Sequence, residues 1–85
     1  MITRTHAIRA IPLWLLREYL VDLGGQVQPD GHVVGDGWWV RLTRLADFQL
    51  GSLRVGEVRM EMTGTAETLD QLERAMWPKL LRGGG

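Results

Sequence analysis

The stretch that decides the fold is Trp38–Met62, WWVRLTRLADFQLGSLRVGEVRMEM. Apolar and polar residues alternate through most of it, which is the period of a half-buried strand. Gly56-Glu57 separates two alternating runs, and glycine at the first of two turn positions suits a type II′ turn. The reading therefore places a hairpin there, with Val55 opposite Val58, Leu53 opposite Met60, and Gly51 facing Met62. A second hairpin is expected at Ala46-Asp47, pairing Leu45 with Phe48, Val40 with Leu53 and Trp38 with Val55. The whole stretch then forms an antiparallel meander of three strands.

This register divides the side chains between two faces. The expected inner face carries Trp38, Val40, Leu42, Leu53, Val55, Val58, Met60 and Met62. The expected outer face carries Trp39, Arg41, Thr43, Leu45, Phe48, Leu50, Ser52, Arg54, Arg59 and Glu61. A one-residue slip inverts every side chain, so any bulge would exchange part of the two sets. Gly51 is the expected place for one. With Leu53 in the core, Leu53→Ala is expected to cost ~2–5 kcal/mol.

Outward from the meander, Ile2 to Ile11 alternate as a first strand, with His6 as a partly buried core histidine. Pro12 opens a helix, where its missing N–H does no harm. Leu13, Leu16, Leu20 and Leu23 form the buried stripe, and Gly24 or Gly25 supplies the left-handed stop. Gln26 to Gly37 mixes signals. Val27, Val33 and Val34 favour a strand, Pro29-Asp30-Gly31 demands a turn, and Asp36-Gly37 suits a type I′ hairpin. One strand bent near Pro29 is expected, with two very short strands as the alternative. That hairpin sets Gly35 opposite Trp38 and Val33 opposite Val40. Thr65 is the N-cap of a second helix, with Leu69, Leu72, Met76 and Leu80 as its buried stripe. Pro78 is expected to stop or kink that helix, with Lys79 to Arg82 as a further turn.

The order is strand, helix, four strands, helix. The expected fold is an α+β two-layer sandwich with an antiparallel sheet and both helices on one face. Residues 1–82 form one domain, and Gly83-Gly84-Gly85 form a flexible tail.

Composition sets outer limits. Eighty-five residues suffice for one small core. An apolar content of 45% argues against disorder. No apolar run reaches the ~20 residues that span a bilayer, and the N-terminus lacks a signal-peptide layout. Cysteine is absent, which excludes disulfides and thiolate ligands. A cytoplasmic location is expected. The formal net charge of zero argues against a generic nucleic-acid binder.

Catalytic signatures are missing. His6 and His32 lie far apart with no His-x-x-x-His pattern, so no metal is expected. Ser52 is the only serine, and nothing marks a base for it. Glu57 and Glu61 flank Arg59 on a strand, where ion pairing is the default. Gly24-Gly25 and Gly35-Asp36-Gly37 are turn glycines rather than phosphate loops. The glycines after Leu80-Leu81-Arg82 are like the C-terminus of ubiquitin-like sulfur carriers. Those carriers are β-grasp folds in which the glycines follow a strand, whereas here they follow a helix.

What remains is the outer face. Trp39, Arg41, Leu45, Phe48, Leu50 and Arg54 combine aromatic, aliphatic and arginine side chains, the composition of interface hot spots. They are the candidate interface. The expected function is non-enzymatic binding or assembly through the open sheet face or its edge. The alternatives are a small-molecule cavity between helices and sheet, and a single-stranded nucleic-acid surface. Self-association or a partner protein is expected, with no membrane, no cofactor and nucleic acid ranked last.

The element order, with the strands Gly37-Trp38-Trp39-Val40-Arg41-Leu42 and Val58-Arg59-Met60-Glu61-Met62, resembles a small uncharacterised domain from thermophilic bacteria. That domain also forms the C-terminal part of a protein related to the small subunit of molybdopterin synthase. The resemblance implies a fold of the TATA-binding-protein-like, helix-grip class and a link to molybdopterin or sulfur-carrier proteins. It implies no catalytic residues.

Overall fold

The structure is a computed structural model that describes residues 1–83. The elements are β1 (Ile2–Arg9), α1 (Leu13–Asp22), β2 (Gln26–Val27), β3 (Val33–Gly35), β4 (Trp38–Leu50), β5 (Leu53–Gly64) and α2 (Ala66–Gly83). The strands form one antiparallel sheet in the order β1-β5-β4-β3-β2. The β-α-β-β-β-β-α order and the α+β class are those expected from the sequence.

Helix α1 starts after Pro12, whose carbonyl accepts from the N–H groups of Leu15 and Leu16 at 3.0 and 3.1 Å. It ends where Gly24 takes φ +98°, and the Gly25 N–H returns to the Leu20 carbonyl at 2.9 Å. Leu16 and Leu20 are fully buried, while Leu13 and Leu23 pack at the margin. Thr65 caps α2 as expected, its Oγ1 accepting from the Thr68 N–H at 3.1 Å. Leu69, Leu72, Met76 and Leu80 are all buried.

Helix α2 runs through Pro78 to Gly83 instead of stopping. Proline removes one bond to the carbonyl four residues back, that of Arg74, and both residues are exposed, so water can replace it. Burial of Leu80 holds the turn beyond. Gly83 is therefore the last residue of the helix rather than part of a tail. Gly84 and Gly85 lie outside the described residues.

The helices cover one face of the sheet. One core joins Ile8 of β1, Val33 of β3, Trp38 and Val40 of β4, and Val58, Met60 and Met62 of β5 to the stripes of α1 and α2. The hairpin at Asp36-Gly37 has the expected register, with Gly35 opposite Trp38 and Val33 opposite Val40. Gly37 supplies the positive φ, +81°. Gln26 to Gly35 folds as the two very short strands β2 and β3, because Gly31 (φ +93°) turns the chain between them.

The three-strand meander is not formed. Trp38–Met62 folds as one long hairpin with its turn at Gly51-Ser52, where Gly51 has φ +61°. Val40 faces Met62 and Leu42 faces Met60, instead of Leu53 lying against Val40 and Met60. Gly56 continues β5 and takes no positive φ. Ala46 and Asp47 together oppose Gly56, since Leu45 pairs with Glu57 and Phe48 with Val55. That is a β-bulge, placed at Ala46-Asp47 rather than at Gly51.

The consequence is an exchange of faces for part of β5. A turn at Gly56-Glu57 would put Val55 and Val58 on the same side, whereas a continuous strand puts them on opposite sides. Val58 stays in the core, while Leu53 is 64% exposed and contributes nothing to it. The expectation that Leu53 truncation costs core energy is therefore corrected.

Candidate interaction surface

The surface is built by two features of β4. The first is its outer edge. Strand β3 pairs only with Trp38–Val40, so from Arg41 to Leu50 strand β4 has β5 on one side and, among the described residues, no strand on the other. The second is its length. Strand β1 pairs with β5 only from Glu57 onward, so the end of the β4–β5 hairpin is a two-stranded arm. The molecule is correspondingly elongated, with extents of 41 × 27 × 22 Å.

Register fixes which side chains the arm presents. Trp39, Arg41, Thr43 and Leu45 point away from the helices, because Trp38, Val40 and Leu42 point toward them. The bulge keeps Phe48 and Leu50 on the same outer side as Leu45. Without it, continuous alternation would set Phe48 opposite in sense to Leu45. Five of the six candidate residues thus share one face. Arg54 pairs with Gln49 and falls on the other side of the pleat.

These side chains are covered only by one another and by surface neighbours. The Arg9 guanidinium sits 3.6 Å over the Phe48 ring, and Arg9 Nε donates to Glu57 Oε2 at 2.9 Å. Edge strand β1 is thereby strapped to the base of the arm. The His32 ring meets Trp39 edge-on at 5.7 Å, and Arg41 lies 5.9 Å over the same indole. Trp39, Leu45 and Phe48 are half-buried by this cover. At the tip, Leu50 and Leu53 face each other across the hairpin and are 62% and 64% exposed. Leu53 and Val55 belong to the arm surface, although the sequence had placed both in the core.

Charge on the arm is unevenly matched. Arg9 is paired with Glu57, and Arg59 with Glu61 at 3.3 Å. Arg41, Arg44 and Arg54 make no ion pair among the described residues. The arm and the open edge therefore combine apolar side chains with arginines that have no carboxylate partner among the described residues, residue types enriched at protein interfaces.

The other polar cluster is structural in geometry. His6 Nε2–H donates to Glu73 Oε2 at 2.7 Å, and the His6 ring meets Trp77 edge-on at 5.6 Å. Arg4 bonds the same Glu73 and also Asp70, at 2.8 Å. The two carboxylates hold the Arg4 guanidinium above its ordinary pKa. This cluster ties β1 to α2, and His6 is half-buried as expected. Beneath α2, the gap bounded by His6, Met60, Met62, Met76 and Leu80 has no room for a water molecule. A cleft of about 490 Å³ opens instead at the start of α1, beside Trp14 and Arg44. No helix among the described residues is long and apolar enough to cross a membrane.

These elements define a small two-layer α+β domain whose sheet is bare of helices on one face and unpaired along much of one edge. Comparison with protein families places it further. The family described as archaeal MoaD-like protein matches residues 4–85, nearly the whole chain, and the chain belongs to that family. The resemblance to a domain related to the molybdopterin synthase small subunit is thus upheld. Comparison with curated proteins gives no match.

Proposed function

We propose that the protein is a non-enzymatic assembly module that docks through the β4–β5 arm and the open edge of β4, most simply onto a second copy of itself. The observation that carries this reading is the exposed pair Leu50 and Leu53 at the end of a two-stranded ribbon. An isolated two-stranded hairpin is marginally stable in water. This one exposes its leucines and its backbone edge together, which is costly unless a partner covers both.

A two-fold arrangement suits such an edge, because an antiparallel strand pairs naturally with its own copy. The outer residues Leu45, Phe48 and Leu50 then meet the same residues of the second copy, and Trp39 and Arg41 form the rim. Membership of the MoaD-like family supports a place beside molybdopterin or sulfur-carrier proteins, with this chain as a docking partner. The described chain ends in helix α2, which runs to Gly83, whereas in the β-grasp carriers a strand precedes the terminal glycines, and this speaks against a carrier role.

Sedimentation equilibrium across a hundredfold range of concentration tests the proposal. A dimer whose dissociation is promoted by Phe48→Glu is the expected result. A wild type that stays monomeric at every concentration overturns self-association.

A further inference from the structure

Arg17 of α1 has an unusual position for an arginine. Its Nε is sealed from solvent and has no hydrogen-bond partner among the described residues. Arg17 makes no ion pair there either, unlike Arg4, Arg9 and Arg59. A buried donor without an acceptor is disfavoured, and a charged one more so.

The guanidinium reaches a cleft of about 240 Å³ at the point where β3 ends and the open edge of β4 begins. Gly31 forms one wall. Its φ of +93° favours glycine, and a Cβ there would stand in contact with Arg17 Nη2 at 3.4 Å, which places the turn against the guanidinium. Arg41 and Thr43 of β4 form the opposite wall. Arg41 is likewise without a carboxylate partner among the described residues. The one acid in the cleft, Asp30, is already engaged, accepting from the His32 N–H at 3.3 Å and contacting the His32 ring. Arg17, Arg41 and Thr43 thus border one small polar space at the edge of the sheet.

We propose that this cleft binds a small oxyanion, a phosphate or carboxylate group, held between Arg17 and Arg41 with Thr43 as a further donor. Guanidinium groups recognise both kinds of group through paired N–H donors in a fixed plane. The ligand accepts from the Nη2 end of the Arg17 guanidinium, which lies against Gly31 in the cleft wall, while the sealed Nε stays behind it. It also neutralises Arg41 at the head of the exposed strand edge. The site shares Arg41 with the rim of the docking surface but also rests on α1 and the Gly31 turn, so anion binding is read separately from association.

The test is a titration of ¹⁵N-labelled protein with inorganic phosphate, and separately with acetate, at low ionic strength held constant with chloride. The expected result is saturable movement of the Gly31 and His32 amide signals and of the Arg17 Nε–H signal. Arg41→Gln is expected to weaken binding at least tenfold, while Arg74→Gln, on the exposed side of α2, leaves it within twofold. Movement with phosphate alone identifies a phosphate site, and movement with both anions identifies a general oxyanion site; either supports the proposal. If neither anion moves these signals, or if Arg41→Gln and Arg74→Gln weaken binding equally, the proposal is overturned. Arg41 is exposed, so its variant tests the site even if Arg17→Met fails to fold.

Discussion

Leu50 stands directly opposite Leu53 at the end of the β4–β5 hairpin, and each has more than half of its surface exposed. Unlike the Val40–Met62 and Leu42–Met60 pairs of the same hairpin, which lie under the helices, this pair has no cover. Its energetics should therefore differ from those of the core. Leu53→Ala is expected to cost less than ~0.5 kcal/mol in the monomer, the range of ordinary surface changes. Leu16→Ala, at a fully buried site, is expected to cost about 2–5 kcal/mol. Urea unfolding of the two variants at low protein concentration measures the contrast. A large loss from Leu53→Ala would mean that Leu53 is in the core.

Gly35 and Trp38 supply a second prediction. A Cβ at Gly35 would overlap the Trp38 indole, so the ring packs directly on the glycine backbone. Gly35→Ala must push the indole aside or open the β3–β4 hairpin, at a cost of about 1–3 kcal/mol. The change should appear as a lower urea midpoint together with altered tryptophan fluorescence. An unchanged midpoint would contradict the packing.

The link between β1 and α2 is testable through Glu73. It accepts from both Arg4 and His6 and is half-buried, so Glu73→Ala strands the His6 Nε2–H and leaves Arg4 with Asp70 alone. A loss of about 1–3 kcal/mol is expected. Double-mutant cycles with Arg4→Ala and His6→Ala should show coupling, since the three side chains form one network. Additive losses would indicate that the network does not hold the helix.

Asp30 gives a pH prediction. Desolvation pushes its carboxyl pKa up, but the His32 backbone N–H and ring outweigh that and hold it below the ordinary carboxylate value. A carboxyl lowered in the folded state adds stability that is fully present above its unfolded pKa. That stability is lost as pH falls through the folded value. The difference in melting temperature between wild type and Asp30→Asn should therefore narrow as pH drops below about 4. A difference that does not change across that range would exclude the contact.

Much of this architecture can be read from residue pattern alone, and the exceptions have a common cause. The helical stripes Leu16/Leu20 and Leu69/Leu72/Met76/Leu80 are fixed by a period that admits one buried face. The turn at Asp36-Gly37 carries its own chemistry. The long hairpin is harder, because two glycines, Gly51 and Gly56, each sit between alternating runs. Both choices leave Val58, Met60 and Met62 buried, so the most apolar strand does not discriminate between them. Leu53, Arg54 and Val55 change sides, and the bulge at Ala46-Asp47 that makes the longer hairpin work has no strong sequence mark. The outer-face residues Trp39, Arg41, Leu45, Phe48 and Leu50 survive the change because the bulge restores their phase. Arg54 does not. The cleft at Arg17 was not legible, since it depends on a turn closing against a helix distant in sequence.

The most direct test of the docking account is amide hydrogen exchange along β4, from Arg41 to Leu50, measured at protein concentrations well below and well above the dimer midpoint. Pairing of the open edge with a second copy predicts protection that rises with concentration at alternate residues of this segment. The amides of Val58 to Met62, already paired, should change little. Exchange that is fast and independent of concentration throughout Arg41–Leu50 would contradict the account.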